Sequence, residues 1–135
     1  MGHVTYNLYF HVVFSTKKRL RILTKQSLRA INATVRELAN EIGFKLIAQG
    51  GYEDHLHLLL SLPPQRNLAM VVKRIKGRTS REHANLYWQT GYYAETVSRN
   101  GVADLTDYIL NQWEKHSLRS LEDAGFFEPT FLPPN

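Results

Sequence analysis

No cysteine occurs among the 135 residues, which excludes disulfide staples, thiol nucleophiles and thiolate-held zinc. Only His, Asp, Glu and Gln remain as metal ligands, a set of nitrogen and oxygen donors that favours a harder divalent ion such as Mg2+ or Mn2+. Long apolar runs are missing too. No stretch reaches the roughly 18 residues that read as a membrane span, and no basic segment leads into an apolar one as in a signal peptide. A cytoplasmic protein with no membrane partner is expected. Repeats, low-complexity tracts and composition breaks are absent as well. The chain therefore reads as a single domain over residues 1–135, large enough to bury about two thirds of its unfolded surface.

Acidic residues are in deficit, with 12 Asp and Glu against 17 Lys and Arg for a formal charge of +5. Such a balance points to a polyanionic partner, and its distribution matters more than its total. The excess falls in two places. Lys17, Lys18, Arg19 and Arg21 follow the first apolar run, and Lys73, Arg74, Lys76, Arg78 and Arg81 crowd a stretch with no acidic residue. A solvated helix face usually mixes both signs, so the second cluster favours binding to a phosphate backbone. Tyr87, Trp88, Tyr92 and Tyr93 lie close by in sequence. They suit bases stacked in a single strand, or ordinary packing against a sheet.

The apolar pattern yields an ordered set of elements. Tyr6 to Thr16 is rich in aromatic and β-branched residues and nearly continuous in apolar character, as in a central strand covered on both sides. Thr24 then caps a helix with the stripe Leu28, Ile31, Val35, Leu38 and Ile42, closed by Gly43. Phe44 to Tyr52 reads as a strand in which Gly50-Gly51 marks a bulge or a close backbone approach. A turn at Glu53-Asp54 leads to a strand from His55 to Leu62, stopped by Pro63-Pro64. Asn67 caps a second helix running to about Ala84, and Tyr92 to Ser98 forms a fourth strand before the Asn100-Gly101 turn. The order strand, helix, strand, strand, helix, strand predicts an α+β, ferredoxin-like split βαβ fold, with a four-stranded antiparallel sheet and two helices on one face. An extra helix is expected over about 102–116, with the stripe Val102, Leu105, Ile109 and Trp113, and then an arm over about 117–135 rich in proline.

Two patterns carry candidate chemistry. His55-Leu56-His57 sits at the head of an apolar run, and alternation in a strand sends both imidazoles to one face, roughly 6.6 Å apart along the chain, while the leucines anchor the other. That spacing suits a shared ion or phosphate, but for the pair alone two polar residues on the wetter face of a half-buried strand are the commoner explanation. Tyr108 and Gln112 are neighbours at i and i+4 on the last helix, a nucleophile beside a carbonyl ligand or two ordinary surface residues. Joined, the two motifs make a complete site. A phenol with an ordinary pKa near 10 needs activation to attack phosphorus, and a divalent ion on His55, His57 and Gln112 would supply it. Glu53 and Asp54 are placed either to take the second nitrogen of a histidine or to fix the turn. His11 reads as a sheet residue, and His83 and His116 as surface residues or supports to a site.

In order, Phe10-His11-Val12-Val13-Phe14-Ser15-Thr16-Lys17, Asp54-His55-Leu56-His57-Leu58-Leu59, Ile75-Lys76-Gly77-Arg78-Thr79-Ser80-Arg81, Trp88-Gln89-Thr90-Gly91-Tyr92-Tyr93 and Tyr108-Ile109-Leu110-Asn111-Gln112 resemble the single-tyrosine HUH transposases of small prokaryotic insertion sequences, the TnpA-like family. The resemblance spans nearly the whole chain. It implies a metal-dependent enzyme that cleaves and rejoins single-stranded DNA at transposon ends and recognises hairpins there. His55, His57 and Gln112 would bind the metal, and Tyr108 would form a 5′-phosphotyrosine link and release a 3′-hydroxyl. A homodimer is also implied, often with the tyrosine helix serving the partner's histidines. Lys115, where a histidine often precedes His116, and Glu95, where an apolar or aromatic residue is more usual, depart from the pattern. The rival expectations are a catalytically silent or domesticated hairpin-binding relative, and a dimerisation module with incidental charge.

Overall fold

The computed structural model describes residues 7–123. Four antiparallel strands, β1 (Leu8–Ser15), β2 (Lys45–Tyr52), β3 (His55–Leu62) and β4 (Tyr93–Val97), form one sheet in the order β2-β3-β1-β4. With α1 (Lys25–Ile42) and α2 (Leu68–Glu82) as the crossovers, this is the expected split βαβ arrangement.

The local signals act as their chemistry dictates. The Thr24 side chain accepts from the Ser27 backbone N–H while Ser27 reaches back to the N–H of Thr24, a reciprocal cap at the head of α1. Gly43 ends that helix at φ 84°, a left-handed turn that glycine adopts without penalty. Asn67 caps α2 by accepting from the Met70 N–H. On the face toward α1 and α2, Val12 and Phe14 from β1 and Leu56, Leu58, Leu60 and Leu62 from β3 pack with Ile31, Val35, Leu38, Val71, Val72 and Ile75.

The opposite face is covered as well. The expected single last helix is two, α3 (Val102–Leu110) and α4 (Gln112–Asp123), so it breaks inside the predicted span and runs past its predicted end at His116. Asn111 makes the break: at φ −98°, ψ 13° it leaves helical geometry, and its side-chain amide donates to the Asp107 carbonyl. Its own carbonyl accepts from the Lys115 N–H and so starts α4. Ile109 from α3 packs on Ala48 and Leu59, flanked by Val102, Leu105 and Tyr108. With both faces covered, every residue of β3 is buried. The β-bulge lies between Leu46 and Ala48, earlier than the two glycines. Gly50 is instead a close approach, since a methyl group built there would overlap the Ile109 carbonyl. The proline-rich part of the predicted arm, 124–135, lies outside the described residues.

Candidate active site

The wetter-face expectation for the histidine pair does not hold, because α3 and α4 cover it: His55 is 3% exposed and His57 fully buried. Their rings lie 5.1 Å apart between centroids. The Tyr108 ring stands edge-on to His57 at 5.8 Å, and Gln112, also buried, donates from its amide to the Tyr108 carbonyl at 3.2 Å. Residues more than 50 positions apart in the sequence thus meet within one chain. Three buried atoms here, His55 Nε2, His57 Nε2 and Gln112 Oε1, have no hydrogen-bond partner among the described residues. A buried polar atom without a partner is costly, and such a group signals a ligand or a functional strain.

Both histidines are held by their other nitrogen. His55 Nδ1 lies 2.9 Å from Asp54 Oδ1, and Arg19 Nε donates to Asp54 Oδ2 at 3.1 Å. Burial works against ionisation of Asp54, yet the His55 hydrogen bond and the Arg19 charge hold its carboxyl at about 2. His57 Nδ1 lies 2.9 Å from His11 Nε2. Burial, with repulsion from His55, His11 and His116, pushes His57 down to about 2, so it is neutral across the physiological range. Burial lifts the Tyr108 phenol above 10, with Gln112 opposing. His116 packs against His55 at 4.6 Å between centroids, and Lys115 Nζ lies 5.2 Å from the Tyr108 ring centroid. Among the described residues no group of three or more His, Cys, Asp or Glu side chains is arranged to hold a metal ion. The Gln112 amide oxygen is the buried unpartnered oxygen that α4 brings to this cluster.

The basic residues divide by what they touch. Lys73, Arg74 and Arg81 are exposed on α2, across the sheet from Tyr108, and Lys17 and Lys18 are exposed in the turn after β1. Arg78 grips both oxygens of Glu41 on α1, at 2.8 and 3.0 Å. Lys76 donates to the carbonyls of Gln89 and Gly91 and lies over Phe14, while Arg19 engages Asp54. Trp88 belongs to the core, edge-on to Phe14 and donating to Thr79 Oγ1 at 2.8 Å. Tyr87 and Tyr92, 63% and 40% exposed, are open to solvent. Sequence reasoning missed the links from His11 to His57 and to Glu95. His11 has no spacing partner in the chain, and only the pairing of β1 with β3 and β4 brings the three together.

Residues 4–112 match the family model described as "Transposase IS200 like". The chain is 27% identical over 130 residues to the transposase of insertion sequence IS200 from Salmonella typhimurium, covering 87% of this chain and 85% of that one. It is 30% identical over 126 residues to the ISDra2 transposase TnpA of Deinococcus radiodurans, covering 84% and 89%. Among solved structures, one described as a transposase of Deinococcus radiodurans aligns with a TM-score of 0.64 at 29% identity, over 84% of this chain and 95% of that one. A REP-associated tyrosine transposase bound to a REP hairpin shares the fold, with a TM-score of 0.64 at 15% identity over 99% and 90%. No helix among the described residues is long and apolar enough to cross a membrane. The chain belongs to the IS200-like transposase family.

Proposed function

We propose that this transposase cleaves and rejoins single-stranded DNA at the ends of its element, with the Tyr108 hydroxyl as nucleophile and His55, His57 and Gln112 as ligands of a divalent ion, Mg2+ or Mn2+. The observation that carries the reading is the set of three buried, unpartnered acceptors beside a tyrosine. Two imidazole nitrogens and an amide oxygen fit such an ion. When bound there it would draw charge from a phosphate oxygen.

The chain's own groups do the rest. Asp54 and His11 orient the two imidazoles. α3, seated on Gly50, sets Tyr108 against the histidine pair. The phenolic oxygen attacks phosphorus, the bond from phosphorus to the 3′-oxygen breaks, and the departing 3′-oxygen takes up one proton for the one the phenol gives up. The products are a 5′-phosphotyrosine and a free 3′-hydroxyl. Attack by a 3′-hydroxyl on that link reverses the exchange, one phosphodiester for another, so no external energy source is needed.

Lys73, Arg74 and Arg81, with Lys17 and Lys18, offer a positive surface to the DNA backbone, and hairpins at the element's ends suit it, as a REP hairpin suits the fold neighbour. The working unit is a homodimer, as in the family it resembles. The test is incubation of the protein with Mg2+ or Mn2+ and hairpin-bearing single strands from its element's ends. Wild type is expected to form a covalent adduct, and Tyr108→Phe to bind the DNA without forming one. Binding without any wild-type adduct would favour a catalytically silent hairpin-binding protein.

A further inference from the structure

His11 holds His57 from one side, and Glu95, which His11 reaches at its other end, has no assigned role. Across β1 and β3, His11 pairs with Leu59 and Val13 with His57, so His11 and His57 are diagonal neighbours on the α3 face of the sheet. Across β1 and β4, His11 pairs with Glu95. The two imidazoles stack at 5.2 Å with 18° between planes, and His11 Nε2 lies 2.9 Å from His57 Nδ1. At its other end, His11 Nδ1 lies 3.3 Å from Glu95 Oε1, while Glu95 Oε2 accepts from the Tyr93 hydroxyl at 2.8 Å.

Hydrogen-bond chemistry gives this chain a direction. An ionised carboxylate only accepts, so the proton between His11 and Glu95 belongs to His11 Nδ1. A neutral imidazole protonated at Nδ1 has a bare Nε2. The proton shared with His57 must then sit on His57 Nδ1, which leaves the lone pair of His57 Nε2 bare, and this is the buried atom without a partner. We propose that Glu95 and His11 are positioning residues that fix the tautomer of His57 and aim its Nε2 lone pair at the divalent ion. The inference rests on the reading of His57 as a metal ligand. Asp54 does the same for His55 over a single hydrogen bond, so the two histidines are set from opposite ends of the site.

Two measurements on the whole chain test it. In metal-free protein, long-range 1H–15N correlation of the imidazoles is expected to show His57 as the Nδ1–H tautomer, and Glu95→Ala to lose that preference. By titration calorimetry with Mn2+, Glu95→Ala is expected to bind about 10–100-fold more weakly than wild type. Glu95→Gln, which keeps an accepting carbonyl, should recover most of the loss. The Glu95 side chain is 51% exposed on an edge strand, so the melting temperature should hardly move. An Nε2–H tautomer in wild type, or wild-type Mn2+ affinity in Glu95→Ala, would overturn the inference. His57→Ala separates the two layers. If it binds Mn2+ as wild type does, the ligand assignment fails and the inference with it; if it loses the ion while Glu95→Ala keeps it, the inference alone fails.

Discussion

Gly50 lies against the carbonyl of Ile109 so closely that no side chain fits between β2 and α3. Gly50 pairs with His57, and Ile109 adjoins Tyr108, so this bare stretch of backbone sets the distance between the histidine pair and Tyr108. Gly50→Ala should destabilise the fold by about 1–3 kcal/mol through overpacking and cut adduct formation on single-stranded DNA. Gly77→Ala is the control, since a methyl group there meets nothing. It should stabilise α2 by about 0.5–1 kcal/mol and leave cleavage unchanged. Thermal melting and adduct yield on the two variants decide the point.

Gly50 also shows what could be read from the sequence and what could not. Strand alternation placed His55 and His57 together and the leucines in the core, and the caps at Thr24, Gly43 and Asn67 are local chemistry that works as expected. The two glycines offered a bulge or a close approach, and only α3 lying across Gly50 decides which. His11 and Glu95 are separated from His57 by strands whose register no local pattern records. The break at Asn111 depends on a side-chain hydrogen bond that competes with a continuous apolar stripe. Arg78 looked like one more cation in a basic run because its partner, Glu41, sits on another helix.

That partnership separates the cations of α2. Lys73→Ala, Arg74→Ala and Arg81→Ala should each weaken hairpin binding and reduce the slope of log affinity against log salt by about 1. Arg78→Ala should leave the slope near wild type, because Glu41 already neutralises that charge. Fluorescence anisotropy across a salt series measures it, and a slope change in Arg78→Ala equal to that in Lys73→Ala would place Arg78 on the DNA.

The same pair has a pH signature. The Arg78 hydrogen bond holds the Glu41 carboxyl below its ordinary 4.5, against a smaller opposing effect of desolvation. A depressed folded-state pKa contributes stability that is present above the unfolded value and lost as pH falls through the folded one. Wild type should therefore melt above Glu41→Gln near neutral pH, and the gap should close as the pH drops below 4.5. A gap that stays constant well below pH 4.5 would remove the charge from the interaction.

Asp54 joins Arg19 to His55. Its removal in Asp54→Ala should lower Mn2+ affinity about 10–100-fold, with a smaller loss in Arg19→Ala. Calorimetric titration checks both, and an unchanged affinity in Asp54→Ala would detach the carboxylate from the site.

The most direct measurement is the identity of the residue that carries the DNA. After incubation with Mn2+ and a single-stranded element end, the adduct is digested and the modified peptide sequenced by tandem mass spectrometry. A phosphate-linked nucleotide is expected on Tyr108, and none when His57→Ala replaces wild type. A nucleotide on Tyr93, Tyr92 or any other residue, or the same yield on Tyr108 in His57→Ala, would contradict it.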